Sequence, residues 1–247
     1  MTIPRARAAL DGIGVYTPGR AATSDAMKLS SNENPFPPLP GVTERIVAEL
    51  GRINRYPDAG ATALREALAE HLGREQPGIT VDQIRTGTGS VAVLFSLLQA
   101  YLEAGDEIVF AWRSFEAYPI AADLTGATSV RVPLLGDGRH DLDAMAAAIT
   151  ERTRVVLVCT PNNPTGPVVT AAELDTFLDR VPPHVIVVVD EAYVEFAPEG
   201  TVLSSKKERH PCFASTEATQ EVAYSVFGWT APSVALYPFA PRRNIFS

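Results

Sequence analysis

The sequence has little cysteine, no excess of positive charge and no long apolar run. Its 2 cysteines, Cys159 and Cys212, provide no disulfide framework. The 29 acidic residues outnumber the 21 basic ones, and the resulting net charge of −8 argues against a nucleic-acid partner. The first residues lack the apolar core of a signal peptide, and no stretch approaches membrane-spanning length. We therefore expect a cytoplasmic protein without a membrane partner.

Two nucleotide-binding fingerprints and a metal-ligand spacing are also missing. The segment 87–90 (GTGS) has neither the third glycine of a dinucleotide motif nor the Gly-Lys-Ser/Thr of a P-loop. This disfavours a nicotinamide-dependent dehydrogenase. No second histidine lies at metal-binding spacing from His71, so no metal site is predicted. The GTGS segment instead leads into a predicted helix over 91–102, whose N-terminus would suit a phosphate, or the glycines only form a turn that starts the helix.

What the sequence does contain is enough apolar material for a large core. Of the 247 residues, 46% are hydrophobic and 20% are charged. Two β-branched runs, 155–159 and 185–189, flank one predicted helix, which indicates a strand, a helix and a parallel strand. Because both runs are apolar throughout, we expect them to be covered on both faces. The sequence therefore predicts an α/β fold with a mainly parallel sheet and helices on both faces.

Further elements follow from local patterns. We predict helices over 42–50, 62–72, 142–149 and 171–180, and strands over 107–112 and 127–134. In the helix 62–72, residues Leu64, Ala67, Leu68 and Leu72 would share the apolar face. Asp141 would cap the helix 142–149, and Thr170 with Glu173 would form a capping box.

Polar residues follow the two apolar runs. The first run leads into 161–166 (PNNPTG), which contains Asn163, and the second leads into Asp190 and Tyr193 of 190–193 (DEAY). Since ligands bind at the carboxyl ends of parallel strands, both clusters would face one site. A carboxylate can pair with a protonated pyridine nitrogen, and an amide can donate to a phenolate oxygen on the same ring. Alternatively, the first cluster is only a tight turn and Asp190 only a cap.

The segments CTPNNPTG and VVVDEAYVEF resemble the class I/II aminotransferases, in the branch of histidinol-phosphate and aromatic amino-acid aminotransferases. The resemblance extends from about Leu10 to Phe196. It implies the large domain of an aspartate aminotransferase-like enzyme that uses pyridoxal phosphate. The implied reaction moves an amino group between an aromatic L-amino acid or histidinol phosphate and a 2-oxo acid, in amino-acid or histidine biosynthesis. It also implies a homodimer.

The resemblance assigns cofactor contacts to residues in several segments. They are the backbone of Ser90 and Val91 at the phosphate, Phe115 of WRSFEAYP stacked on the ring, Asn163 and Tyr193 at the ring hydroxyl, and Asp190 at the ring nitrogen. A flat apolar ring suits a flat heterocycle, although a phenylalanine after a strand is equally typical of a core.

Residues near the N-terminus receive roles by the same resemblance. Tyr56 in NRYPD would reach the cofactor phosphate of a partner subunit, so that one site needs two chains. Asn32 in LSSNENPFPP would lie near the substrate carboxylate, and Tyr16 near the substrate side chain. Alternatively, Tyr56 is a half-buried aromatic residue before a proline, and the N-terminal segment is a surface arm.

The resemblance weakens after Phe196. Family members bind the cofactor through a lysine, and the candidate here is Lys206 in a Ser-Lys pair 16 positions after Asp190. The residues that follow it do not match the family, which favours the interpretation of Lys206 and Lys207 as a solvated charge pair in a loop. We expect three parts: an N-terminal arm (1–41), a partial cofactor-binding domain (42–200) and an unmatched, disordered or rearranged tail (201–247). The alternative function is an inactive, truncated remnant without the catalytic lysine.

Overall fold

A computed structural model describes most of the first 197 residues of the chain. It covers Arg7, Ile13, Asn32, residues 36–74 and 78–197, and the backbone of 222–226 and 234–236. The predicted roles of Tyr16 and Lys206 fall outside the described residues. Described residues between 14 and 62 form one compact unit, and those from 63 onward belong to another. No helix in these described parts is both long and apolar enough to span a membrane.

The larger unit alternates helices and strands. Its helices are α2 (Thr62–Gly73, whose first residue belongs to the smaller unit), α3 (Ser90–Tyr101), α4 (Ala117–Thr125), α5 (Leu142–Ala147) and α6 (Ala171–Leu178). Its strands are β1 (Ile84–Thr86), β2 (Glu107–Trp112), β3 (Thr128–Pro133), β4 (Thr153–Cys159), β5 (Ile186–Glu191), β6 (Val222–Val226) and β7 (Val234–Leu236).

The seven described strands form one sheet in the order β1-β7-β6-β5-β4-β2-β3. The pairs β2–β3, β2–β4, β4–β5 and β5–β6 are parallel, whereas β7 is antiparallel to both β6 and β1. The prediction of a mainly parallel sheet is therefore confirmed. The C-terminal segment contributes β6 and β7 to this sheet, although the sequence pattern predicted no strand there.

Helices cover both faces of the sheet, as predicted. Leu157 of β4 packs in one core cluster with Leu98 of α3 and Tyr118 of α4. Its neighbour Val156 packs in a second cluster with Phe177 of α6. Because successive side chains of a strand point to opposite faces, these clusters lie on opposite sides of the sheet. Each fully buried side chain of this size contributes roughly 1.5–3 kcal/mol of transfer free energy.

The smaller unit contains helix α1 (Val42–Leu50), at the predicted bounds. No residue of α1 is buried, and Ile46 and Leu50 are exposed. After α1, the Asp58 carboxylate accepts hydrogen bonds from the backbone N–H of Gly60 and Thr62. These bonds order the turn that precedes α2.

Some predicted elements differ from those observed. Helix α4 was not predicted because Pro119 reads as a breaker, yet a proline fits the first turn, where no intrahelical donor is needed. Asp190 lies inside β5 rather than after it. The predicted helices 142–149 and 171–180 both end two residues earlier. Ala67 is exposed, and Ala69 packs instead against the small cluster around Leu68.

Candidate functional site

A pocket lies on the sheet face that α3 and α4 cover, toward the carboxyl end of β5. It contains about 250 Å³ of empty space, part of it open to solvent. Its lining residues are Ser90, Leu94, Phe115, Tyr118, Leu157, Val188 and Asp190. Three of the predicted cofactor residues, Ser90, Phe115 and Asp190, thus come together from a helix start, a loop and a strand.

Asp190 is the charged group of this pocket. It is only 7% exposed, its Oδ2 accepts a 2.6 Å hydrogen bond from the Tyr118 hydroxyl, and its Oδ1 accepts a 3.2 Å bond from the Ala192 N–H. Burial raises the pKa of Asp190, and both hydrogen bonds act against that rise. Among the described residues no cationic side chain pairs with it. The pocket therefore holds a buried carboxylate suited to a cationic ligand atom.

The start of α3 supplies backbone donors at the same pocket. Gly89 precedes the helix at φ 87°, a conformation that favours glycine, and it provides no side-chain cap. The first N–H groups of a helix have no intrahelical acceptor, and they carry the positive end of the helix dipole. Ser90 lines the pocket at this point, whereas Val91 does not and is 39% exposed. The geometry can bind an anionic group through backbone N–H donors.

Gly87 is required for a different reason. A Cβ atom at this position would lie 2.9 Å from Cγ2 of Val93, inside the first turn of α3. The strand-to-helix segment therefore packs closely against the helix that it introduces.

Phe115 lies between β2 and α4. Its ring is 5.7 Å from the Tyr118 ring at 90°, an edge-to-face contact, and it packs partly buried against the core. This contact holds the Phe115 ring in place, and the ring forms one wall of the pocket.

In the turn 161–166, the side chain of the first asparagine, Asn162, makes hydrogen bonds that hold the turn against neighbouring segments. Asn162 is 3% exposed, accepts a 2.7 Å bond from the Ser114 hydroxyl and donates to the Arg113 carbonyl and the Thr165 hydroxyl. Asn163, the predicted cofactor residue, is half-buried, does not line the pocket and makes no side-chain hydrogen bond within the described residues. Two adjacent amides look alike in a sequence, so no signal could separate their roles.

His140 joins the same network. It is 7% exposed, and its Nε2 lies 3.4 Å from the Ser114 hydroxyl oxygen. Burial lowers the pKa of His140, and a hydrogen bond with Asn162 partly opposes this effect. Its Nδ1 has no hydrogen-bond partner among the described residues. Sequence reasoning missed His140 because its contacts come from distant segments.

Tyr118 was also missed as a site residue, although it stands three positions after Phe115. Its side chain is fully buried, and burial together with the Asp190 charge raises its pKa well above the usual value of a tyrosine. The WRSFEAYP motif contains it, but only the fold brings it to Asp190.

The remaining predicted residues do not line this pocket. Tyr193 is half-buried and precedes a short 3-10 helix, Val194–Phe196. In the smaller unit, Tyr56 is 95% exposed, and Asn32 is exposed with φ 49°. Their predicted roles stay predictions.

The fold agrees with the family that the chain matches. Residues 24–225 match the family model described as aminotransferase class I and II. The match continues past Phe196, where the motif resemblance ended. The chain belongs to this family, and its fold is that of the large domain of an aspartate aminotransferase-like protein.

Proteins similar to this chain include aromatic amino acid aminotransferases of several bacteria. The chain is 56% identical over 198 residues to that protein of Streptomyces avermitilis, covering 79% of this chain and 54% of the relative. The corresponding protein of Corynebacterium glutamicum is 50% identical over 206 residues, covering 83% of this chain and 59% of the relative. The chain thus spans somewhat more than half the length of these relatives.

Solved structures give the same fold. Histidinol-phosphate aminotransferase from Sinorhizobium meliloti, determined with pyridoxal-5'-phosphate, matches with a TM-score of 0.71 and 25% identity over 83% of this chain and 55% of that one. A mutant aspartate aminotransferase of Thermus thermophilus matches with a TM-score of 0.72 and 28% identity, covering 85% and 56%.

Proposed function

We propose that this chain forms the pyridoxal phosphate-binding part of an aminotransferase. The observation that carries the proposal is Asp190, a buried carboxylate without a cationic partner among the described residues, in a pocket next to Phe115 and the start of α3. A buried carboxylate of this kind is stabilised when a ligand supplies the positive charge. A protonated pyridine nitrogen meets this requirement.

The residues present fit the cofactor in chemistry. Asp190 would hold the ring nitrogen, Phe115 would lie against the ring, and the backbone at Ser90 and Val91 would bind the phosphate. When bound, pyridoxal phosphate supplies an electron-withdrawing ring that stabilises negative charge on the substrate carbon. The roles of Asn163 and Tyr193 at the ring hydroxyl belong to the proposal on the resemblance alone.

We infer an aromatic L-amino acid as the amino donor and a 2-oxo acid as the acceptor. The relatives named for aromatic substrates are about twice as similar in sequence as the histidinol-phosphate enzyme (56% against 25% identity), which supports the aromatic class. A role in histidine biosynthesis is the weaker candidate. A cytoplasmic homodimer with Tyr56 reaching the partner's site completes the proposal, and the 95% exposure of Tyr56 is compatible with such a contact.

Asp190→Asn tests the proposal directly. We expect the unchanged chain to bind pyridoxal phosphate, and the variant to bind at least about tenfold more weakly because the neutral amide cannot compensate a ring cation. The measurement is an absorbance titration of the purified chain. Asp179→Asn is the matched control, since Asp179 is exposed at the end of α6. Equal binding by the Asp190→Asn variant would contradict the proposal.

The same titration separates an active enzyme from the inactive remnant. The chain has three lysines, Lys28, Lys206 and Lys207, and the residues after Lys206 do not match the family. An active enzyme should retain the cofactor mass on one lysine after borohydride reduction, and it should transaminate phenylalanine with 2-oxoglutarate. The remnant should do neither, even where it binds the cofactor reversibly. Peptide mass spectrometry identifies the modified lysine.

A further inference from the structure

We propose that Tyr118 is a positioning residue that holds the Asp190 carboxylate in place for a cationic ring nitrogen. This inference rests on the proposed function and assigns a residue that the sequence motifs did not identify. Tyr118 acts through Asp190 and takes no part in the transfer itself.

The first observation is how firmly the Tyr118 side chain is held. It is fully buried near the start of α4, and its ring makes edge-to-face contacts with Phe110 at 5.8 Å and Phe115 at 5.7 Å. A ring packed on two sides loses rotational freedom, so its hydroxyl occupies one position. That position is 2.6 Å from Oδ2 of Asp190. The donor is therefore present before any ligand arrives.

The second observation is that both carboxylate oxygens are fixed. Oδ2 accepts from Tyr118, and Oδ1 accepts from the Ala192 N–H. An ionised carboxylate has about four acceptor positions, so each oxygen keeps capacity for a further donor. Two fixed bonds orient the plane of the carboxylate and leave acceptor positions for a ligand at the pocket that Asp190 lines.

The direction of the hydrogen bond follows from the protonation states. Burial and the nearby carboxylate raise the pKa of Tyr118 well above its usual value, so the phenol stays protonated and donates. A donor to the charged form favours ionisation, which opposes the effect of burial on Asp190. Cys159 is a further titratable neighbour, paired with Asp190 across β4 and β5. Burial raises its pKa to about 12, so it is neutral at physiological pH.

Tyr118 is thus the side-chain group of the described residues that favours an ionised Asp190 before a ligand binds. A residue that only filled space would affect every ligand of the pocket equally. A residue that keeps the carboxylate ionised and oriented would affect ligands with a basic ring nitrogen most. This difference makes the proposal testable.

The first experiment needs no ligand. The Asp190 carboxyl is titrated by ¹³C NMR in the full chain, with its signal assigned by its loss in Asp190→Asn. Tyr118→Phe removes one oxygen atom and keeps the ring, and we expect the pKa of Asp190 to rise by about one unit or more. Tyr101→Phe, at a 40% exposed tyrosine of α3, should leave it unchanged. An unchanged Asp190 pKa in Tyr118→Phe would overturn the proposal.

A second variant tests the same hydrogen bond in case Tyr118→Phe does not fold. Incorporation of 3-fluorotyrosine at position 118 keeps the shape of the ring and makes the hydroxyl a stronger donor. The pKa of Asp190 should then fall below that of the unchanged chain. If the pKa of Asp190 rose or stayed the same, the hydrogen bond from Tyr118 would not be what controls this pKa.

The ligand experiment compares pyridoxamine 5'-phosphate with its 1-deaza analogue, in which C–H replaces the ring nitrogen. The amine cannot condense with a lysine, so affinities report non-covalent contacts. We expect the preference for the nitrogen ring to fall roughly tenfold in Tyr118→Phe and to persist in Tyr101→Phe. Tyr118→Phe should cause no further fall when added to Asp190→Asn.

The outcomes separate the two proposals. If the unchanged chain binds neither ligand, or binds both equally, the proposed function is wrong, and with it the cofactor part of this inference. The ligand-free titration still decides whether Tyr118 controls the carboxylate. If the unchanged chain prefers the nitrogen ring and Tyr118→Phe keeps that preference in full, the inference alone is overturned.

Discussion

Burial shifts the pKa values of Asp190 and His140 in opposite directions. Removing a side chain from water disfavours its charged form, so the pKa of Asp190 is raised and the pKa of His140 is lowered. Asp190 accepts two hydrogen bonds that favour its charged form, and it lines a pocket. His140 lies instead beneath the turn 161–166, where a neutral imidazole suits its contacts with Ser114 and Asn162. We propose Asp190 as the ligand-binding group, whereas His140 contacts the side chains of the neighbouring segments.

We predict that His140 makes the stability of the chain fall in mild acid. In the unfolded chain a histidine binds a proton near pH 6.5, whereas the folded state resists it. Below that pH the unfolded state therefore binds more protons, and the free energy of unfolding decreases by up to about 1.4 kcal/mol per pH unit until the folded pKa is reached. Urea unfolding at pH 7.5 and 5.5 measures this decrease.

His140→Gln should flatten this pH dependence, while His184→Gln, at an exposed position, should keep it. The raised pKa of Asp190 works in the opposite sense, since its contribution increases stability as the pH falls. It is present in all three chains and cancels in the comparison. An identical slope in His140→Gln would show that the buried imidazole is not the cause.

At the scale of elements, capping fixes where α6 begins. The Thr170 hydroxyl accepts a 3.3 Å bond from the Glu173 N–H, and the Glu173 carboxylate accepts a 2.8 Å bond from the Thr170 N–H. This helix packs Phe177 and Leu178 onto the sheet face opposite the pocket. Its first turn therefore contributes to the stability of the whole sheet.

We predict that Thr170→Ala lowers the free energy of unfolding by about 1 kcal/mol, because the missing hydroxyl no longer accepts from the Glu173 N–H or donates to the Glu173 carboxylate. Thr176→Ala is the control in the same helix, since the Thr176 hydroxyl only donates to the Ala172 carbonyl one turn back. Alanine favours helix there, so the control should change stability little or raise it. Thermal or urea unfolding compares both variants. Equal losses in the two would contradict the capping account.

Elements were predictable where a local pattern determined them. The apolar β-branched runs predicted β4 and β5, and the capping box predicted α6. Helix α4 was missed because a proline is typical of a helix break, although this proline lies in the first turn, where a helix tolerates it. Asp190 was placed after its strand because a charged residue is unusual inside one, although here the Tyr118 hydroxyl satisfies it. The contact between these residues spans 72 positions, and no local pattern encodes such a distance.

At the scale of the whole molecule, the sheet is continued by segments far apart in the chain. Strand β7 pairs with β6 on one side and with β1 on the other, so residues 234–236 join the early strand Ile84–Thr86 to the later ones. No sequence pattern indicated this pairing, because short strands with three paired residues carry little periodic signal. The pocket, in contrast, is formed mainly by α3, α4, β4 and β5, and three residues that sequence motifs indicated, Ser90, Phe115 and Asp190, line it.

If the proposed homodimer forms, two variants that are each defective should restore binding when they are combined in one dimer. If Tyr56 completes the site of the partner subunit, chains with Tyr56→Ala and chains with Asp190→Asn should each bind pyridoxamine phosphate weakly. Refolded together in equal amounts, half of the dimers should be mixed, and each mixed dimer should contain one intact site. High-affinity binding should therefore return at about a quarter of all sites.

Titration of the mixture measures this fraction, with Asp179→Asn in place of Asp190→Asn as the control. Because Tyr56 is 95% exposed in its own chain, a Tyr56→Ala variant that binds normally on its own would instead place the tyrosine outside any site.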